Sequence, residues 1–307
     1  MDISPLKLLY IGGWGRSGST LIGGRLGAQP GWVHVGEIWH LWQDSGDLSA
    51  LCSCRKPYRD CTFWGPVLDA AGITPEVAME MRAIKADYLG TRQLLTNRAA
   101  WQGDLPEPLQ RYGSQLLKLY RAIADATGAR CLVDASKTPS TIRLLSALAQ
   151  DPEARLEPKV LHLIRDPRAV AYSWWFRPKA RGPQAAQGTM ARHSPLRSTL
   201  SWRARNKAVV AACTGLDVPR FELRYEDFAL DPENTLKALI DFVGPVSGGT
   251  APHAEIHSIR GNAVRFDGPA KPIKLDEKWR SELPGYWQRV VEMTAGAGLR
   301  RYGYRRG

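Results

Sequence analysis

A chain of 307 residues that is 44% hydrophobic and 23% charged has the composition of a globular protein, which excludes collagen-like, coiled-coil and wholly disordered classes. Its formal charge is +12, and residues 165 to 207 carry ten Lys or Arg beside one acid, Asp166. An anionic partner is therefore expected there, whether nucleic acid, a membrane surface or a polyphosphorylated ligand. Five cysteines without an export signal argue against a disulfide-built secreted scaffold. No apolar run approaches the ~18 to 20 residues of a membrane span, and the expected location is cytoplasmic.

In chain order, the apolar run Leu6 to Gly12 predicts a strand that ends in glycines, and Ser19 to Gln29 follows with helical spacing. Val33 to Glu37 predicts a second strand, and residues 66 to 127 hold three helical stretches broken near Pro75 and at Gly103 to Pro108. Further strands are predicted at Arg130 to Val133, Lys159 to Ile164 and Pro219 to Leu223, the first two running through polar loops into helices. Strands alternating with helices need crossover connections, which favours parallel pairing. The expected fold is a doubly wound, P-loop-like three-layer α/β fold with a central parallel sheet and helices on both faces. A single domain over 1–307 is expected, with loop insertions at 44–66 and 177–195, both read as surface loops or lids, and an irregular C-terminal segment at 244–307.

The segment Gly12-Gly13-Trp14-Gly15-Arg16-Ser17-Gly18-Ser19-Thr20 lies between the first strand and the first helix. There backbone N–H groups and the helix dipole can wrap a phosphate, and Ser19 and Thr20 can donate hydroxyls. A nucleoside-triphosphate loop would read GxxxxGK[ST], and aligning Gly13 and Gly18 puts Ser19 where the lysine belongs. Without that lysine, and without an evident acidic strand end for Mg²⁺, phosphoryl transfer from ATP lacks its main charge stabilisers. A second anion site is expected where a strand ends at Arg165, Pro167 opens a helix and Ser173 follows in its second turn. Read alone, Asp166-Pro167-Arg168 could equally be a cap with a salt bridge.

Taken together, these two segments resemble the sulfotransferases that use 3′-phosphoadenosine 5′-phosphosulfate (PAPS), and the resemblance spans nearly the whole chain. In that family the loop matching Arg16, Ser17, Gly18, Ser19 and Thr20 holds the 5′-phosphosulfate, and an Arg with a Ser eight residues later, here Arg165 and Ser173, holds the 3′-phosphate. Gly36-Glu37, Asp134 to Lys137, Arg224 to Asp227 and Gly261 to Phe266 match further motifs of the bacterial branch. The resemblance implies PAPS as donor, no required metal, and binding through Gly15, Arg16, Ser17, Gly18, Ser19, Thr20, Arg165, Ser173, Arg260 and Arg265. It also implies Glu37 as the base that deprotonates the acceptor, and Lys137 and Arg16 as stabilisers of the leaving bisphosphate. His34 and His40 flank Glu37 as rival bases, each read rather as a structural or acceptor-contacting residue.

The expected acceptor is a small molecule, glycan, lipid or peptide with a hydroxyl, less readily an amine. Nucleic acid is not an expected partner, and the oligomeric state is unreadable. Tryptophans are most often core or packing residues, and Trp39 and Trp42 are read either so or as the lining of an aromatic acceptor pocket. Cys52, Cys54 and Cys61 cluster in sequence but lack the fourth ligand and paired spacing of a zinc ribbon, so free thiols are expected, with zinc or a local disulfide as the other readings. Arg224 to Asp227 is read as a strand-to-helix corner fixed by buried ion pairs. The basic stretch from Arg177 to Arg205 is read as a lid, an acceptor surface or a solvated face. Two rival functions remain: a kinase with a degenerate phosphate loop, and a polyanion-binding protein, which would leave Glu37 and Lys137 without a role.

Overall fold

The computed structural model describes residues 4–42, 48–90, 105–176, 192–246, 257–260 and 273–305. Five strands form one sheet: β1 (Leu6–Gly13), β2 (Trp32–Gly36), β3 (Cys131–Lys137), β4 (Leu156–Ile164) and β5 (Arg220–Arg224). Their spatial order is β2-β3-β1-β4-β5, with every pairing parallel. The chain leaves β1 in one direction to reach β2 and later crosses to β4 on the other side. The C-terminal end of β1 is therefore the switch point where an open α/β sheet leaves a crevice for a ligand.

The period-two pleat sends alternate β1 side chains to opposite cores. Leu8 and Tyr10 join Leu132 and Val160 on one face, while Leu9 and Ile11 join Val133, Leu161 and Leu163 on the other. The first face is covered by α2 (Trp64–Ala70), α3 (Pro75–Tyr88), α4 (Glu107–Thr127), α5 (Pro139–Leu148) and part of α7 (Pro195–Gly215); the second by α1 (Ser19–Gly27), α8 (Tyr225–Leu230) and α9 (Pro232–Val243). This is the expected three-layer arrangement. Between these groups α6 (Pro167–Trp175) leaves the end of β4, and α10 (Trp279–Glu282), α11 (Gly285–Ala295) and α12 (Ala297–Arg301) complete the helices among the described residues. Here Trp202, Ala295, Leu299 and Tyr302 pack around Ile164. Among the described residues, no helix is long and apolar enough to cross a membrane.

Several expectations are corrected. The strand expected to stop at Val133 continues to Lys137, so the Asp134 to Lys137 segment is strand rather than helix entry. The 44–66 stretch is irregular over its described part up to α2, with Arg55, Lys56 and Asp60 exposed, but it is packed rather than superficial: Leu48, Cys52, Tyr58, Cys61 and Trp64 are buried in the first core. Residues 177–191, the body of the expected lid, lie outside the described residues, and positions 195 to 205 form the first half of α7. The corner at Arg224 to Asp227 is held by hydrogen bonds rather than by a buried ion pair. Glu226 Oε1 accepts from the Asp166 amide at 3.0 Å and Oε2 from Tyr304 at 2.8 Å, whereas the Arg224–Asp227 pair is largely exposed.

Candidate active site

The loop after β1 turns because two of its residues take left-handed backbone conformations, Arg16 with φ 70° and Gly18 with φ 91°. A Cβ on Gly18 would lie 2.4 Å from the Tyr225 ring, so only glycine fits there. Ser17 Oγ donates to Trp14 O at 2.9 Å, tightening the loop, and Gly18 O accepts the amides of Leu21 and Ile22 to start α1. Neither a side-chain cap nor an acidic first-turn residue is present at that helix start. Its amides and dipole are thus arranged for an anion.

Glu37 and Lys137 stand at the C-terminal ends of neighbouring strands. The β2–β3 register shifts between His34 and Gly36, and the β1–β3 register between Tyr10 and Gly12, which pairs with Lys137. These irregularities aim the two side chains toward each other, as bulges beside functional sites do. Lys137, at φ 64°, places Nζ 2.6 Å from Glu37 Oε1 and donates to Ser19 Oγ at 3.2 Å and to Ala135 O at 2.6 Å. His40 Nε2 lies 3.1 Å from Glu37 Oε2. Burial alone would push the Glu37 carboxyl up, but Lys137 and His40 outweigh it and hold it well below the usual carboxylate range. The Glu37 side chain makes no capping hydrogen bond to the 3₁₀ turn Ile38–His40.

The support behind this pair is built from distant segments. Glu37 N donates to Ile259 O at 2.7 Å and Ile259 N to Val35 O at 3.0 Å. Asp134 accepts from the Ser136 amide at 2.8 Å, from Tyr120 at 2.7 Å and from the Ser136 hydroxyl, and Ser136 Oγ in turn accepts from Trp39 N at 2.9 Å. The buried Asp134 thereby fixes the turn that follows Glu37.

At the end of β4 the Asp166-Pro167-Arg168 segment does two jobs. Asp166 caps α6 and, with Glu292, receives the Arg168 guanidinium, at 2.8 and 2.6 Å respectively. Arg165 instead faces the loop after β1: Nη1 donates to Arg16 O at 3.0 Å, while Arg16 Nε donates to Ser173 Oγ at 2.9 Å. Its guanidinium stacks 4.5 Å over Tyr225, and Nη2 lies 3.5 Å from Asp276 Oδ2. The Arg165 Nε is buried without a hydrogen-bond partner among the described residues.

The structure thus brings Arg16, Ser17, Gly18, Ser19, Glu37, Lys137, Arg165 and Ser173 to one end of the sheet. Arg260, at φ 49°, follows the Ile259 strap beside Glu37, whereas Arg265 lies outside the described residues. His40 is a partner of Glu37 rather than its rival. His34 packs against Gly23 and Gly27 of α1, and burial, reinforced by Lys137, lowers its pKa to about 4. Trp42 is a core residue packed edge-on against Tyr112, not a pocket wall, and Trp39 has Lys85 4.3 Å over its ring. Asp276 and Ile259 were given no role from sequence, and Tyr225 was read only as part of the Arg224 to Asp227 corner. Each reaches the site across the chain, which no local pattern signals.

Residues 9–246 match the family described as "Sulfotransferase family". Over 183 residues the chain is 30% identical to "Carbohydrate sulfotransferase 6" of Homo sapiens, a match covering 53% of this chain and 45% of that protein. Identity is 28% over 184 residues to "Carbohydrate sulfotransferase 5" of Mus musculus, with the same coverage. The match spans about half the length of these curated relatives. A solved structure, "Sulfotransferase Domain from the Synechococcus PCC 7002 Olefin Synthase", aligns over 95% of this chain and 96% of its own at 22% identity with a TM-score of 0.45. Because the family match takes in most of the sequence, from β1 through α9, the chain belongs to the sulfotransferase family.

Proposed function

We propose that the chain transfers the sulfuryl group of PAPS to an acceptor hydroxyl, with release of adenosine 3′,5′-bisphosphate. The observation that carries this reading is the position of Lys137 Nζ, 3.2 Å from Ser19 Oγ of the phosphate loop and 2.6 Å from the Glu37 carboxylate. One cation is shared between a donor-phosphate cradle and a base. The glycine-formed turn at Gly18, the uncapped start of α1 and the unpartnered buried Nε of Arg165 fit an anionic donor.

When bound, the donor supplies the sulfuryl group and a leaving bisphosphate. Loop amides with Ser17, Ser19 and Thr20 hold its 5′ end, and Arg165 with Ser173 holds the 3′-phosphate. Arg16, hydrogen-bonded to Ser173, lies between the two and shares the neutralisation of charge with Lys137. The carboxylate of Glu37 takes the acceptor proton, and His40 fixes the orientation of Oε2. Electrostatic stabilisation by fixed cations is commonly the largest contribution to such a transfer. That both curated relatives are carbohydrate sulfotransferases supports a carbohydrate hydroxyl as the acceptor class.

Calorimetric titration with adenosine 3′,5′-bisphosphate, beside adenosine 5′-monophosphate and Mg²⁺-ATP, tests the donor without knowledge of the acceptor. Micromolar binding that requires the 3′-phosphate is expected. A preference for Mg²⁺-ATP would favour the kinase reading instead. With donor binding established, Glu37→Gln should abolish turnover on sulfated-glycan precursors while retaining bisphosphate affinity.

A further inference from the structure

Apart from Glu37 and Lys137, three thiols of the 48–66 segment meet an imidazole, with Cys52 and Cys61 buried and Cys54 and His257 half-buried. Cys52, Cys54, Cys61 and His257 each offer one ligand atom, and the four atoms lie within 4.8 Å of one another. Cys52 Sγ is 3.6 Å and Cys61 Sγ 3.3 Å from His257 Nδ1, and Cys54 Sγ is 3.5 Å from Cys61 Sγ. Zinc–sulfur bonds of about 2.3 Å and zinc–nitrogen bonds of about 2.0–2.1 Å in a tetrahedron separate S from S by about 3.8 Å and S from N by about 3.5 Å. Three of the six edges, the two S–N and the Cys54–Cys61 S–S spacing, match these values to within a few tenths of an ångström, and all four ligand atoms lie within 4.8 Å of one another. A disulfide needs sulfurs at about 2.05 Å and would join only two of the three thiols.

We propose that Cys52, Cys54, Cys61 and His257 form a closed structural zinc site. The local backbone suits it. Leu51 and Pro57 pair as an antiparallel bridge, Cys52 N donates to Lys56 O and Arg55 N to Cys52 O, each at 2.9 Å, and Arg55 takes a left-handed φ of 71°. This tight knuckle carries Cys52 and Cys54, and Cys61 follows just before α2. His257 is held in place by ring stacking on Phe63 at 5.2 Å and by the neighbouring Ser258 amide, which donates to Ser53 Oγ at 2.8 Å. Three thiolates and one imidazole form a soft donor set that selects zinc over magnesium or calcium. Binding releases three thiol protons to solvent, leaves His257 neutral and gives the site a net charge of minus one. Four protein ligands leave no open position, so the metal ties parts together and takes no part in sulfuryl transfer.

What it ties is specific. His257 stands two residues before Ile259, whose backbone is hydrogen-bonded to Val35 and Glu37. The metal therefore clamps the cysteine knuckle to the strap that supports Glu37 and presents Arg260. The sequence conceals this because the fourth ligand lies 196 positions after Cys61.

The full chain, prepared without a metal-binding tag and dialysed against metal-free buffer, should retain one equivalent of zinc by elemental mass spectrometry. Cys61→Ser and His257→Ala should lose it, whereas Cys131→Ser and Cys213→Ser, which alter buried thiols elsewhere, should keep it. Should the ligand variants fail to fold, cobalt substitution of the unaltered chain decides the matter: thiolate-to-cobalt charge transfer with intense tetrahedral d–d bands is expected. A metal-free chain that takes up no cobalt, or a Cys54–Cys61 disulfide in the intact mass, would overturn the proposal.

Discussion

Lys137 Nζ and Glu37 Oε1 lie 2.6 Å apart at the ends of two adjacent strands, and the same ammonium reaches Ser19 at the start of α1 at 3.2 Å. A carboxylate held by a lysine is a poor base, because ionisation is stabilised and proton uptake disfavoured. An anionic donor in the loop would compete for that lysine. Drawing it away would leave burial less opposed and raise the proton affinity of Glu37, so donor binding would itself activate the base.

Lys137→Ala tests this coupling. Turnover should fall by orders of magnitude with a modest change in bisphosphate affinity, as for a group acting mainly in the transition state. With the lysine gone, burial pushes the Glu37 carboxyl upward, so the acidic limb of the kcat/KM profile should move to higher pH. A proportional loss of affinity with an unmoved profile would make Lys137 a ground-state binding residue.

Arg165→Ala should do the reverse. A charge-assisted hydrogen bond to phosphate is worth about 1.5 to 3 kcal/mol, so affinity for adenosine 3′,5′-bisphosphate should drop roughly tenfold to a hundredfold. Affinity for adenosine 5′-monophosphate should change little. Equal loss for both nucleotides would place Arg165 at the 5′ end, or make its contact with Arg16 O its main contribution.

Gly36→Ala should separate turnover from donor binding. Gly36 has φ 82°, and an added Cβ would lie 2.3 Å from Ile259 O and 2.6 Å from Ile259 N. The strap must move, and overpacking of this kind costs about 1–3 kcal/mol. Thermal unfolding should shift downward and kcat should fall as Glu37 loses its backbone anchor, while calorimetry should show donor-site affinity nearly unchanged.

Asp134→Asn should change the pH dependence of stability. Burial raises the Asp134 carboxyl from its ordinary 3.8 to about 6, against hydrogen bonds from Ser136 and Tyr120. Its neutral form is favoured in the fold, so this contribution to stability is present below pH 3.8 and lost as pH rises through 6. Urea unfolding at both ends of that interval should show the variant gaining about 2–3 kcal/mol relative to the unaltered chain as pH rises. A constant difference would mean that the carboxyl titrates alike folded and unfolded.

The apolar runs at Leu6, Lys159 and Pro219, the glycine turn before Ser19 and the Pro167 helix start were legible because they are set by neighbours in sequence. Hydrophobic periodicity and turn chemistry act over a few residues, which was enough for a parallel α/β sheet and for the turn between β1 and α1. Tertiary structure alone decided the rest. It extended β3 through Lys137 because the segment pairs with Gly12 of β1, buried part of the cysteine knuckle that was read as a surface loop, and set His40 beside Glu37. It also brought Tyr225 and Asp276 to Arg165, Ile259 to Glu37, and His257 to three cysteines. Each of these depends on chain crossings that join distant positions, and a contact between distant positions leaves no periodic trace in the sequence around either one.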